Sequence, residues 1–288
     1  MKLTTIKAQL ANLRFFDKWI HCPYCHSTNT KIILWLSPKA LRECPNCSLI
    51  FLYPQIPPEA LSDAYNKNYA IAGFDIKQIE QITLSKLRDT CFNRDREINL
   101  LLEFKQSGMV LDLGCSWGFC MLQAKHKGFM VKGIEISRPH ARYAIERLGL
   151  DVSIGQLYEA SYPDGYFVAI LASHVLEHIP NLRRTLNEMH RILQEDGVAI
   201  IIVPNFSSFS RKMLGLRWKW LEPNWHCYQF TKGFLQYALD ETGFDVTFRS
   251  EEGHYGKELI ESLYSQEEIQ AIHQRLEGSE LIAIARKR

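Results

Sequence analysis

Val110-Leu111-Asp112-Leu113-Gly114-Cys115-Ser116-Trp117-Gly118, with Glu135 closing the next apolar run, decides the fold of this chain. An apolar strand enters a turn of small residues, a helix starts at once, and a carboxylate ends the following strand. That order builds a nucleoside pocket at the C-terminal edge of a parallel sheet. Glycines let the backbone approach a ligand closely, and the first N–H groups of the helix are free to meet a negative group. Glu135, 21 positions after Gly114, stands where a carboxylate can bind both hydroxyls of a ribose. The pocket points to an enzyme that holds an adenosine-like cofactor.

Working outward, strands and helices alternate from Met109 onward. The apolar runs predict strands at 109–113, 130–135, 151–153, 166–171, 197–203, 244–250 and 280–286. Helices are expected near 118–127, 138–148, 181–194 and 231–242, the third marked by Leu182, Leu186, Met189 and Leu193 at helical spacing. Thr231 is a good N-cap and Gly243 a good helix end. Such alternation argues for a doubly wound α/β sheet. A polar helix over Gln266–Glu277 precedes the last strand. Upstream, residues 1–20 read as a lead-in helix, Pro58-Glu59 opens a short helix, and 79–106 reads as one long helix through Leu84, Leu87, Cys91, Ile98 and Leu101. The prolines at 54, 57 and 58 mark a boundary. Three parts follow: an N-terminal segment with a small β-rich module (1–57), a helical lid or linker (58–106) and the α/β domain (107–288).

Apolar residues make up 46% and charged residues 23% of the 288, as in ordinary globular proteins. Lys and Arg exceed Asp and Glu by only two, so no broad positive field draws the chain to nucleic acid or membrane. Lys2 and Lys7 lack a following apolar core of the signal-peptide kind, and the apolar run Val198–Val203 is too short to span a bilayer. Eight cysteines are too few for a disulfide scaffold. Four of them form two Cys-Pro-X-Cys turns, Cys22/Cys25 and Cys44/Cys47, 18 residues apart. Paired turns at this distance suit a structural zinc ion held by four thiolates in a closed tetrahedral shell, and hence a reducing, cytoplasmic setting. Cys91, Cys115, Cys120 and Cys227 have no paired spacing and are expected in the core.

After the fourth strand the chain reads Ala172-Ser173-His174-Val175-Leu176-Glu177-His178-Ile179-Pro180-Asn181, and later Ile202-Val203-Pro204-Asn205. With the glycine turn, these residues resemble the class I S-adenosylmethionine-dependent methyltransferases. The branch is similar to ubiquinone-type O-methyltransferases and to polysaccharide-pathway or sugar methyltransferases, over about residues 107–250. The resemblance implies a seven-stranded Rossmann-like sheet whose last strand is antiparallel. It implies that Asp112, Gly114, Ser116 and Gly118 surround the methionine part of the cofactor, Ser116 replacing the usual middle glycine. Glu135 would take the ribose hydroxyls, Ile136 would flank the adenine, and Gln156 and Leu157 would meet the adenine amino edge, glutamine replacing the usual acid. Ser173 and His174 would line the methionine end. Trp117, bulkier than usual, would narrow the pocket mouth. The ribbon followed by the Tyr65/Tyr69 helix is also similar to the polysaccharide-pathway enzymes.

Histidine is the natural base near neutral pH. His178 lies just past the fourth strand on the acceptor side. His226 lies in Trp218–Thr231, which is similar to the segment where related sugar methyltransferases place a base after a glutamate; here the preceding residue is Trp225. Trp218, Trp220 and Trp225 can stack on a flat acceptor or anchor the loop. The leading expectation is methyl transfer to a small-molecule or glycan acceptor framed in part by the zinc ribbon. The alternatives are an RNA methyltransferase gripping RNA through the ribbon, opposed by the near-neutral charge, and a non-catalytic binding module. Neither the methylated atom nor the oligomeric state follows from the sequence.

Overall fold

A computed structural model describes residues 20–68, 87 and 92–288. The expected lead-in helix, save Ile20, lies outside these residues, as do Tyr69, Cys91 and all of 79–91 but Leu87. The chain begins with a meander of β1 (Lys31–Leu36), β2 (Lys39–Glu43) and β3 (Ile50–Tyr53), followed by α1 (Pro58–Asn68). Then come α2 (Asp95–Phe104), β4 (Met109–Leu113), α3 (Phe119–His126), β5 (Met130–Glu135), α4 (Arg138–Leu148), β6 (Val152–Ile154) and β7 (Phe167–Ser173). The rest is α5 (Leu182–Ile192), β8 (Leu193–Pro204), α6 (Phe209–Leu214), β9 (Tyr228–Gln229), α7 (Lys232–Thr242), β10 (Phe244–Glu251), α8 (His254–Leu263), α9 (Gln266–Gln274) and β11 (Glu280–Lys287).

The large sheet has seven strands in the order β10-β11-β8-β7-β4-β5-β6. β11 runs antiparallel to both neighbours, whereas β4 to β8 are mutually parallel. The seven-stranded α/β architecture with a reversed last strand is therefore the one expected. The strands buried on both faces are continuous apolar runs, as parallel strands covered by helices must be. α5 buries Leu182, Thr185, Leu186, Met189 and Ile192 as one stripe. Chain order reverses between β4 and β7, and this switch point opens the crevice that receives a ligand.

Three expectations are corrected. The helix over 79–106 is not continuous: Phe92–Arg94 are non-helical, and among its described residues only 95–104 are α-helical. Asn93 Oδ1 accepts the Asp95 N–H at 2.8 Å, and such a local side-chain bond competes with helix continuation. α5 ends at Ile192, because Leu193 turns extended and pairs with Phe167, so β8 starts earlier than residue 197. Residues 251–279 hold two helices, α8 and α9, rather than one.

The small sheet has the order β1-β2-β3-β9, so its fourth strand comes from beyond residue 227. Cys22, Tyr24, Cys44, Cys47, Leu49 and Phe51 share one buried cluster with residues of β7, α5, β8 and α7. Tyr24 meets Phe234 edge-on at 5.2 Å and donates its hydroxyl to the Ala238 carbonyl. The ribbon is thus packed into the α/β core. Among the described residues no helix is long and apolar enough to cross a membrane.

Candidate active site and metal centre

The ends of β4, β5 and β7 frame a cavity of about 940 Å³. Its floor is the turn after β4. Gly114 (φ +73°) and Gly118 (φ +83°) sit in left-handed backbone, and both are close-packed: a Cβ on Gly114 would lie 2.5 Å from Val175 Cγ2. Ser116 takes the same left-handed region (φ 50°), where a glycine would sit without strain. Its N–H donates to Glu135 Oε2 at 2.8 Å, and the Ser137 N–H donates to Oε1 at 2.7 Å. Burial pushes the Glu135 pKa up, while those backbone N–H groups pull it down. Each carboxylate oxygen keeps a second lone pair for a ribose hydroxyl.

Asp112 is buried, and its Oδ2 makes no hydrogen bond among the described residues. Burial pushes its pKa up to about 7, with Arg94 acting in the opposite sense. An orphaned buried acceptor of this kind fits the ammonium of an amino-acid moiety. Ile136, Gln156 and Leu157 line the same cavity at the ends of β5 and β6. Gln156 is the N-cap of the short turn Leu157–Glu159, in a reciprocal capping box with Glu159. Trp117 borders the cavity but buries its ring against His140, at 4.1 Å, and Tyr143. Its bulk goes into an aromatic cluster with Leu87, Phe92 and Phe119.

Beyond β7 the structure departs from what spacing alone suggests. Ser173 donates to Glu97, and His174 stacks on Trp220 at 4.6 Å. His174 Nε2 bonds Glu280 Oε1 at 2.9 Å, and Glu280 is also paired with Arg96. Burial lowers the His174 pKa, but Glu280 and Glu177 outweigh it and raise it to about 10, so His174 is an imidazolium. Sequence reasoning missed Glu97, Arg96 and Glu280, since 106 positions separate His174 from its partner.

His178 and His226 come together with ring centroids 4.7 Å apart. His178 Nδ1 lies 3.2 Å from the Trp225 carbonyl and His226 Nδ1 lies 2.8 Å from the Trp220 carbonyl. A carbonyl only accepts, so both Nδ1 atoms carry the proton and both Nε2 atoms hold a lone pair. Burial holds both rings neutral, His226 down to about 3. Tyr65, Trp220 and Glu222 line this end too. Trp218, in contrast, is an anchor, packed with Leu41, Ile50, Leu52 and Leu221 between ribbon and loop.

The four ribbon cysteines also converge. Cys22 Sγ lies 3.6 Å from Cys47 Sγ and Cys25 Sγ 3.5 Å from Cys44 Sγ, with all four within 4.8 Å of one another. A tetrahedral zinc with Zn–S bonds of ~2.3 Å needs sulfurs about 3.8 Å apart. The two turns are built alike. Cys22 N–H bonds the Ser27 carbonyl and His26 N–H the Cys22 carbonyl; Cys44 with Leu49 and Ser48 with Cys44 repeat this, and His26 and Ser48 are both left-handed. The donor set could hold a zinc ion. His21 and His26 are not among the converging ligands. Cys115, Cys120 and Cys227 are buried.

Residues 84–247 match the family described as "Methyltransferase domain". Among curated relatives, ajmaline N-methyltransferase of Rauvolfia serpentina is 31% identical over 106 residues, 34% of this chain and 36% of that one. Demethylmenaquinone methyltransferase of Lysinibacillus sphaericus is 21% identical over 65% of this chain and 78% of its own. The chain thus spans about a third of the first relative's length and most of the second's. A solved S-adenosylmethionine-dependent methyltransferase from Archaeoglobus fulgidus superimposes with a TM-score of 0.51 at 22% identity, covering 71% of this chain and all of that one. A possible histamine N-methyltransferase from Thermotoga maritima gives 0.55 at 17% identity, over 79% and 100%. At these identities the superpositions speak for the fold alone.

Proposed function

From the premise that this chain belongs to the class I S-adenosylmethionine-dependent methyltransferases, we propose that it methylates a small hydroxyl-bearing molecule such as a sugar or phenol. The observation that carries its cofactor half is the doubly anchored Glu135 carboxylate in one cavity with the orphaned Asp112, and its acceptor half rests on the two neutral histidines at the other end. When bound, S-adenosylmethionine supplies a methyl group on a positively charged sulfur. Glu135 would hold the ribose, Asp112 the ammonium, and Ile136, Gln156 and Leu157 the adenine. Gly114 and Gly118 keep the turn close to the cofactor. Ser173 and His174 belong to the wall rather than to proton transfer, because His174 is already protonated and committed to Glu280.

The remaining end of the cavity, with Tyr65, Trp220 and Glu222 around His178 and His226 and with Trp225 packed behind Tyr65, is the proposed acceptor site. Aromatic walls favour a flat or sugar-like face. The two Nε2 lone pairs would engage the acceptor hydroxyl. Much of the catalysis is then positioning for in-line attack. The ribbon (1–57), with zinc in its four thiolates, is proposed to frame this end together with 58–106 and the 107–288 domain. The near-neutral net charge gives no broad positive field, which weighs against an RNA acceptor.

The test is titration calorimetry with S-adenosylhomocysteine, followed by methyl-transfer assays over nucleotide sugars, glycans and phenols. Binding together with turnover on one acceptor class is expected. Absence of binding at millimolar ligand refutes the reading.

A further inference from the structure

Beside His178 and His226, just behind the acceptor end of the cavity, lies a third group that proton transfer does not require. Glu177 is 1% exposed, and neither carboxylate oxygen makes a hydrogen bond among the described residues. Its nearest cation is the His174 ring, with Nδ1 at 3.5 Å. The His174 imidazolium approaches Oε1 without a hydrogen bond and so completes the carboxylate only in part, and a buried carboxylate this short of donors is costly unless a further positive group completes it. One donor atom from each of Glu177, His178 and His226 lies within 4.8 Å of the others.

We propose that Glu177, His178 and His226 form a site for a divalent transition-metal ion of the zinc type, whose open positions take the hydroxyl of the acceptor. Two neutral imidazoles and one carboxylate are a common ligand set for such ions, and three protein ligands leave coordination room for a substrate oxygen. The outer contacts match what metal-binding histidines need. Each Nδ1–H is held by a backbone carbonyl, Trp225 for His178 and Trp220 for His226, which fixes the ring and aims Nε2 away from that carbonyl. Glu222 Oε2, 3.7 Å from His226 Nε2, borders the open side with the two histidines.

The sequence supplies these ligands from two places. Glu177 and His178 come from the turn after β7, and His226 comes from the loop before β9. The Cys227 N–H donates to the Glu177 carbonyl at 2.7 Å and so locks the two segments together. With the ion bound, both Nε2 lone pairs would be taken by it, so the histidines would act on the acceptor hydroxyl through the ion rather than directly, and the hydroxyl would release its proton to water. Its oxygen then forms a bond to the methyl carbon as the C–S bond breaks, and sulfur leaves with the bonding pair as a neutral thioether. The proposal rests on the methyl-transfer reading for its purpose but not for its test.

The test counts metal. Full-length protein is titrated with Zn²⁺ against a weak chelator, and with Co²⁺ for spectroscopy, alongside Glu177→Gln and His178→Gln. Wild type should saturate at two equivalents, one with thiolate-to-metal charge transfer and one without. Each variant should stop at one equivalent and keep the thiolate spectrum. Retained S-adenosylhomocysteine binding shows that a variant is folded, and His178→Gln serves if Glu177→Gln does not fold. Saturation of wild type at one equivalent overturns the proposal and leaves Glu177 as a partner of His174 alone. So does a second equivalent that survives in both variants. If wild type takes two equivalents but binds no S-adenosylhomocysteine, the metal site stands and the methyl-transfer reading fails.

Discussion

Replacing Glu135 with glutamine tests the cofactor reading where the geometry is tightest. Both carboxylate oxygens already accept a backbone N–H, from Ser116 and Ser137. Glutamine offers one oxygen and one NH₂, so whichever way the amide is turned a donor faces a donor. On the cofactor side, one ribose hydroxyl loses a charged acceptor. A hydrogen bond to a charged group contributes about 1.5–3 kcal/mol. At 1.4 kcal/mol per decade, Glu135→Gln should weaken S-adenosylhomocysteine binding roughly 10- to 100-fold. Glu135→Ala removes both hydroxyl acceptors and should cost about twice that free energy, or roughly 10²- to 10⁴-fold.

Stability should move less than affinity. The unmatched N–H costs about 1–3 kcal/mol, but a neutral amide also escapes the desolvation that pushes the Glu135 pKa up. Calorimetry for affinity and urea unfolding for stability would be read side by side. A folded Glu135→Gln protein that binds within twofold of wild type refutes the argument that this carboxylate holds the cofactor.

Asp112 gives a pH signature. Its pKa in the folded chain is raised to about 7 from an ordinary value near 3.8, so the folded chain keeps a proton there that the unfolded chain releases. Stability is therefore fully present below about pH 4 and is lost as pH rises through about 7; the Asp112→Asn urea midpoint should lack this fall, and saturating S-adenosylmethionine should reduce it in wild type. Cys44→Ser should lose the thiolate-bound zinc and lower the melting temperature, and should raise the acceptor KM more than the cofactor Kd, read by metal analysis and steady-state kinetics. At Gly118 a Cβ would sit 2.7 Å from Leu150 Cδ1 and 2.9 Å from Ala144 Cβ, in left-handed backbone. Gly118→Ala should cost about 2–5 kcal/mol in urea unfolding, as the sum of overpacking and backbone strain. An unchanged midpoint would contradict that packing.

The large sheet was legible because its parallel strands are buried on both faces and so read as apolar runs. The turn was legible because its glycines are required by backbone approach. Both signals are local, as are the paired Cys-Pro-X-Cys turns. The wall of the cavity was not legible, since Arg96, His174 and Glu280 meet only through tertiary folding. Glu177 was passed over as the neighbour of His178, and only burial without donors singles it out. The two-residue strand Tyr228–Gln229 carries no periodicity. Its role as the fourth strand of the ribbon sheet comes from pairing with Ile50 and Phe51. The helix break at Asn93 is a contest between a side-chain acceptor and the backbone, which apolar spacing does not register.

The union of ribbon and α/β core also sets an order in time. During synthesis the ribbon emerges first, yet the Ala238 carbonyl that receives the Tyr24 hydroxyl is 214 positions downstream. Phe51 likewise waits for Tyr228 before its sheet is complete. Contacts this distant form late, and apolar surface exposed meanwhile invites association with other chains. A metal ion gripped early by the four thiolates would fold the two turns locally and hold that surface in shape until the ribosome has delivered the rest.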